Sequence, residues 1–190
     1  MVTGGARSGK SRFAERLARA GRQPVLYLAT AEAGDDEMRA RIAEHRRQRP
    51  ADWQTIEARR DVGQALAAVG DRPGTVLLDD LGLLVTNLLL DLGGEAEPTS
   101  ETGRALDAAL ASEIDALQAA RAAGGWDLVV VTNEVGLGIV PATPLGRLFR
   151  DALGRANQIL AADADAVYLL VAGLPVRIKP ASGQPEGAGS

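Results

Sequence analysis

"GGARSGKS", residues 4–11, is the stretch from which the rest of the chain is best read. Its spacing is G-x-x-x-x-G-K-[ST], with Gly4, Gly9, Lys10 and Ser11 in the four fixed places. Glycines at these points let the backbone curl until its N–H groups face phosphate oxygens, and a helix starting directly behind adds its positive end. In such a loop Lys10 reaches the β- and γ-phosphates, and Ser11 offers its hydroxyl to Mg²⁺. With this composition the pattern arises by accident in roughly one chain in five hundred. Most of that improbability is the lysine, since Lys10 and Lys179 are the only lysines among 21 basic residues.

Outward from the loop, Met1, Val2 and Thr3 allow a short strand before it, and residues 11–20 place Phe13 and Leu17 on one side of a helix. Further apolar runs follow: "PVLYLAT" (24–30), "TVLLDD" (75–80), "LVVVTN" (128–133) and "AVYLLV" (166–171). None alternates polar with apolar, so both faces are buried, as in a parallel sheet covered by helices. Between them, residues 103–122 carry Leu106, Leu110, Ile114 and Leu117 at helical spacing, and residues 145–162 do the same with Leu145, Leu148, Phe149, Ala152, Ala156 and Ile159. Strands alternating with helices predict a three-layer α/β fold with a mostly parallel sheet. "AVYLLV" and "PVRIK" across Gly173-Leu174 predict an antiparallel hairpin at one edge. Residues 1–180 read as a single nucleotide-binding catalytic domain, and 181–190, without apolar anchors, as a loose tail.

Composition narrows the function. The 190 residues are 46% hydrophobic but only 3% aromatic, so the core is aliphatic and rings for stacking on bases are scarce. With a net charge of −4, nothing global favours nucleic acid or an anionic membrane. The absence of cysteine removes thiolate metal sites and thiol nucleophiles, and fits a cytoplasmic protein. No apolar run is long enough to insert across a bilayer.

Phosphate loops work with a carboxylate at the end of a neighbouring buried strand, which holds Mg²⁺. "TVLLDD" offers Asp79 and Asp80. A strand-end Asp is also an ordinary turn former or helix cap, and of the two Asp79 is the expected metal side. Together these residues predict binding of a nucleoside triphosphate with Mg²⁺.

The single histidine lies in "RIAEHRRQRP", residues 41–50. Asp35 and Asp36 can cap a helix on which Met38, Ile42 and His45 share a face, among arginines at 39, 41, 46, 47 and 49. One reading is a helix whose inner face ends in a half-buried imidazole. The other is a nucleophile: clustered cations favour the neutral ring, and arginines clamp phosphates and offset charge on a reacting phosphoryl group.

"TGGARSGKS", "YLAT", "DDEM", "RIAEHRRQRP", "VTNLL" (85–89) and "VTNEVGLGIVP" (131–141) occur in that order. Together they resemble the bifunctional adenosylcobinamide kinase/adenosylcobinamide-phosphate guanylyltransferase family of cobalamin biosynthesis, from Val2 to about Lys179. The resemblance implies a RecA-like P-loop fold, a homotrimer, a corrinoid substrate (adenosylcobinamide), and ATP or GTP with Mg²⁺. It implies a covalent GMP–histidine intermediate, for which His45 is the candidate; where relatives carry a His-His pair this chain reads Glu44-His45. Nucleotide contacts carried over by the resemblance are Gly4, Gly5, Ala6, Arg7, Ser8, Gly9, Lys10 and Ser11, then Thr30, Ala31 and Glu32. They continue with Arg46, Arg47, Gln48 and Arg49, with Glu57, and with the strand-end acid Asp79. Lys10 and His45 are the expected catalytic residues, Ser11 and Asp79 the expected metal ligands. Asp80 and Gly82 depart from the family, which often has Cys and Thr there. The rival readings are a single-step P-loop kinase of another small alcohol, in which His45 packs, and a nucleotide-dependent binding or ATPase module.

Overall fold

A computed structural model describes residues 1–31, 50–69, 73–93 and 98–179. Seven strands form one sheet: β1 (Val2–Gly4), β2 (Val25–Ala29), β3 (Gln54–Glu57), β4 (Thr75–Asp79), β5 (Asp127–Val131), β6 (Val167–Val171) and β7 (Leu174–Lys179). Their order is β3-β2-β4-β5-β1-β6-β7, parallel throughout except for β7, which runs antiparallel to β6. The expected α/β architecture with an antiparallel edge hairpin is what forms. The described helices are α1 (Lys10–Ala20), α2 (Val62–Ala67), α3 (Leu81–Asp91), α4 (Ser100–Gly124) and α5 (Pro144–Asp163).

Side chains along a strand alternate between the two faces, and here both faces are covered. Val25, Tyr27 and Ala29 of β2 and Leu77 of β4 pack with Ala14 and Ala18 of α1 on one side. Leu26, Leu28, Val76 and Leu78 join residues of α2, α3, α4 and α5 on the other. That is why these strands read as unbroken apolar runs.

Three elements are absent from the periodicity reading. β3 is a short edge strand whose residues "QTIE" are all at least partly exposed, so it lacks an apolar signature. α3, "LGLLVTNLLLD", buries Leu81, Leu84, Val85, Leu88 and Leu89 and is apolar almost all round, so it shows no stripe. α2 is a single short helix whose first N–H groups are satisfied from another helix. Glu113 of α4 accepts from Asp61 N at 2.5 Å and from Val62 N at 3.0 Å.

Parallel register gathers one end of every strand at one edge of the sheet. Glu57, Ala29, Asp79 and Val131 pair across β3, β2, β4 and β5, and Val131 pairs Val2 of β1. β5 thus separates the loop-bearing strand β1 from the acid-bearing strand β4. Ligands of such sheets bind beyond the carboxyl ends of the strands, where β1 runs into residues 4–11.

Candidate active site

The loop has the geometry its glycines require. A Cβ on Gly4 would lie 2.6 Å from Ser8 Oγ and 2.7 Å from the Leu170 carbonyl oxygen, so no side chain fits there. Gly9 has φ +91°, a left-handed conformation that favours glycine. The curl is closed by Ser8 N donating to Gly5 O at 3.3 Å, and it is held from both sides. Glu134 N donates to Gly4 O at 3.1 Å, and Gly173 N, in the β6–β7 turn, donates to Ser8 O at 2.9 Å. Ser8 Oγ is buried without a hydrogen-bond partner. α1 starts behind Gly9 with no side-chain cap, which leaves its first N–H groups to a ligand. Lys10 and Ser11 on this first turn are half-buried.

On β4, Asp79 and Asp80 have separate tasks. Asp79 Oδ2 accepts a 2.6 Å hydrogen bond from the hydroxyl of Tyr27, a residue 2% exposed on the neighbouring strand. Asp80 caps α3: its Oδ1 accepts from Leu83 N at 2.8 Å. Burial pushes the Asp80 carboxyl above its usual range, against the Leu83 N–H, which lowers it. The neighbouring Asp79 charge raises it further and Lys10 lowers it, so the loop lysine and both acids share one field. The peptide joining the two acids is cis.

Thr30 fixes the ends of β2 and β4 together. Its hydroxyl donates to Asp80 O at 2.7 Å and accepts from Asp80 N at 3.0 Å, and the residue is fully buried. Asn87 of α3 then donates from Nδ2 to both Thr30 O and Arg59 O at 2.9 Å. Gly82 lies under this corner, where a Cβ would be 3.0 Å from Asn133 Nδ2 and 3.2 Å from Asp80 Oδ1. The segment after β5 is braced similarly. Thr132 Oγ1 donates to Asn157 Oδ1 at 2.7 Å, and Asn157 Nδ2 donates to Asn133 O at 3.1 Å. The Glu134 carboxylate accepts from Gly136 N and Leu137 N, folding a turn beside the loop.

A cavity of about 440 Å³ opens between Gly5–Ser8, this turn and the β6–β7 hairpin. A second, of about 310 Å³, lies at the opposite end of the sheet around Met1, Thr75 and Asp127, and holds none of the expected site residues.

Of those residues, Gly4 to Ser11, Thr30, Ala31, Glu57 and Asp79 all lie at the carboxyl end of the sheet. Glu32, His45, Arg46, Arg47, Gln48 and Arg49 lie outside the described residues. Two residues that sequence reading misses are Tyr27 and Asn87. Each has a signal in retrospect: a hydroxyl in the apolar run of β2, and a lone amide among the leucines of α3. Among the described residues no three His, Cys, Asp or Glu side chains cluster as a metal site. Mg²⁺ needs no such cage, since it is held by one or two protein oxygens plus phosphates and water. The hard oxygens of Ser11 and Asp79 suit it.

The chain is similar to known proteins over most of its length. Residues 1–178 match the family model described as cobinamide kinase / cobinamide phosphate guanyltransferase. The chain is 48% identical over 179 residues to the bifunctional adenosylcobalamin biosynthesis protein CobU of Escherichia coli, covering 94% of this chain and 98% of that one. It is 49% identical to CobU of Salmonella typhimurium over the same shares, and 40% identical to CobP of Pseudomonas aeruginosa, covering 94% of this chain and 96% of that one. On a match that spans residues 1–178 and on the phosphate loop it contains, the chain belongs to the cobinamide kinase/cobinamide phosphate guanyltransferase family, bifunctional enzymes of adenosylcobalamin biosynthesis.

Proposed function

We propose that one nucleotide site serves two successive reactions, the second through a guanylyl-histidine intermediate on His45. The observation that carries the shared site is the loop of residues 4–11, closed on itself at the edge of the sheet where Asp79 ends β4, with Lys10 and Asp79 both acting on the Asp80 carboxyl. In the first reaction the terminal hydroxyl of adenosylcobinamide attacks the γ-phosphorus of ATP or GTP. The bond to the β–γ bridging oxygen breaks, the hydroxyl proton is lost, and the nucleoside diphosphate leaves. Lys10 and the loop N–H groups hold the phosphates and offset charge on the transferring group, which is most of what such a transfer requires. Mg²⁺, held by Ser11 and Asp79, supplies further neutralisation of phosphate charge when bound.

In the second reaction an imidazole nitrogen of His45 attacks the α-phosphorus of GTP, and the bond to the β-phosphate breaks to release pyrophosphate. A phosphate oxygen of adenosylcobinamide phosphate then attacks the same phosphorus. The P–N bond breaks, and adenosylcobinamide-GDP leaves with the imidazole restored. Support for His45 is chemical: it is the only histidine, there is no cysteine, and Arg46, Arg47 and Arg49 follow it directly. Thr30, Ala31, Glu32, Gln48 and Glu57 complete the nucleotide contacts of this reading. It includes a cytoplasmic homotrimer, which sedimentation equilibrium tests directly. The catalytic route is tested by labelling with α-³²P-GTP under single-turnover conditions, where acid-labile, alkali-stable label on the protein is expected and its absence refutes the route.

A further inference from the structure

The segment "VTNEVG", residues 131–136, carries three polar side chains, Thr132, Asn133 and Glu134, and the chemistry above uses none of them. It leaves β5, the strand between loop-bearing β1 and acid-bearing β4, where Val131 pairs with Val2 on one side and Asp79 on the other. Neighbouring strands are about 4.8 Å apart, so the loop strand and the acid strand stand roughly 10 Å from each other. A triphosphate cradled by the loop and extending toward the Asp79 side must cross the end of β5. Side chains just past that end therefore meet its outermost phosphate.

Two of the three side chains are committed to folding. Thr132 Oγ1 donates to Asn157 Oδ1 at 2.7 Å, and the Glu134 carboxylate accepts from Gly136 N and Leu137 N. Asn133 differs. Its backbone is fixed on every side: Thr132 N donates to Val2 O at 3.0 Å, Glu134 N to Gly4 O at 3.1 Å, and Asn157 Nδ2 to Asn133 O at 3.1 Å. Its side chain is half-buried and makes no hydrogen bond among the described residues. The amide reaches the acid side of β5. A Cβ placed on Gly82 would be 3.0 Å from Asn133 Nδ2 and 3.2 Å from Asp80 Oδ1, which puts amide and carboxyl at one corner. The Lys10 charge acts on that same carboxyl from the loop side. A donor held through its backbone, with its amide still unused, needs little reorganisation when negative charge develops beside it.

We propose that Asn133 is a catalytic residue of the first reaction, donating from its side-chain amide to the γ-phosphate as that group is transferred. The proposal deepens the function given above and rests on it for the identity of the acceptor. In the second reaction the attack falls on the α-phosphorus, and the γ-phosphate departs intact within pyrophosphate. The amide therefore contributes far less to that step.

The test compares wild type with Asn133→Ala, which removes the donor, and Asn133→Asp, which keeps the shape and sets a carboxylate against the phosphate. Affinities for GDP and for the β,γ-imido analogue of GTP are measured by calorimetry, and folding by Tm. Asn133→Ala is expected to bind the imido analogue roughly tenfold more weakly, and Asn133→Asp more weakly still, with GDP affinity unchanged in both. The kcat for cobinamide phosphorylation should fall on the order of a hundredfold in Asn133→Ala, while single-turnover labelling by α-³²P-GTP slows only a few-fold. Equal losses for GDP and the imido analogue overturn the contact and make Asn133 a support of the loop. Wild-type affinity for both nucleotides in both variants also overturns it. A wild type that binds both nucleotides but phosphorylates no cobinamide overturns the functional reading and with it the catalytic role.

Discussion

The hydroxyl of Tyr27 donates to Oδ2 of Asp79 at 2.6 Å, joining residues 52 apart in sequence on neighbouring strands. A carboxylate fixed by a buried phenol presents its remaining lone pairs in one direction, which suits a ligand of a metal that tolerates little misalignment. Tyr27→Phe should therefore raise the Mg²⁺ concentration needed for half-maximal phosphoryl transfer several-fold, with activity recovered at saturating Mg²⁺. The bond is charge-assisted, so its loss should also cost roughly 1.5–3 kcal/mol of stability. A lower Tm with an unchanged Mg²⁺ dependence, in metal titrations and in Mn²⁺ binding followed by electron paramagnetic resonance, would make the bond structural only.

Asp79→Asn should raise the Mg²⁺ requirement far more than Asp80→Asn. Asp79 has no capping duty in the described structure, whereas Asp80 Oδ1 is committed to the N–H of Leu83. Equal effects of the two substitutions in Mg²⁺ titrations would show that the wrong carboxylate carries the metal.

Asp80→Asn carries its own prediction for stability. Burial, with the Asp79 charge adding to it, raises the Asp80 pKa in the folded protein, so folding favours the protonated carboxyl. A raised carboxyl contributes most below its unfolded pKa, and that contribution is lost as pH rises through the folded value. At neutral pH the buried charge is a cost, and asparagine removes it while keeping a good N-cap. Without nucleotide, Asp80→Asn should be more stable than wild type at pH 7, and the gap should close as pH falls into the usual carboxylate range. Denaturant melts at several pH values measure this, and a gap that widens at low pH contradicts it.

Much of this architecture is legible in the chain because burial on both faces leaves long apolar runs. β2, β4, β5 and β6 are read that way, and the edge hairpin is read from Gly173. β3 escapes because an exposed edge strand has no reason to be apolar, and α3 because a helix buried on most sides has no stripe. The phosphate loop is legible since its chemistry sits in eight consecutive residues. Tyr27 and Asn87 are not, because they act on Asp79 and Thr30 across 52 and 57 residues. Those distances close only through the register of β2 on β4 and the return of α3, which local patterns do not disclose.

Glu113 is a buried carboxylate that the reaction does not use, and its bonds to Asp61 N and Val62 N assign it to holding α2. Glu113→Ala strands two N–H groups and should cost about 3 kcal/mol. The midpoint of urea unfolding should fall accordingly, while nucleotide affinity of the folded protein stays the same. A neutral effect on stability would mean that α2 is held by its apolar contacts alone.

The central claim is that one loop serves two reactions and that only the second needs His45. Single-turnover reactions of His45→Ala with α-³²P-GTP, run beside a separate assay of cobinamide phosphorylation, test it most directly. The account predicts that the kinase step persists, because Lys10 and the loop act without an imidazole. It predicts no label on the variant protein, because no other histidine or cysteine exists to take the guanylyl group. Label retained by the His45→Ala protein, or loss of both activities in a folded variant, would contradict it.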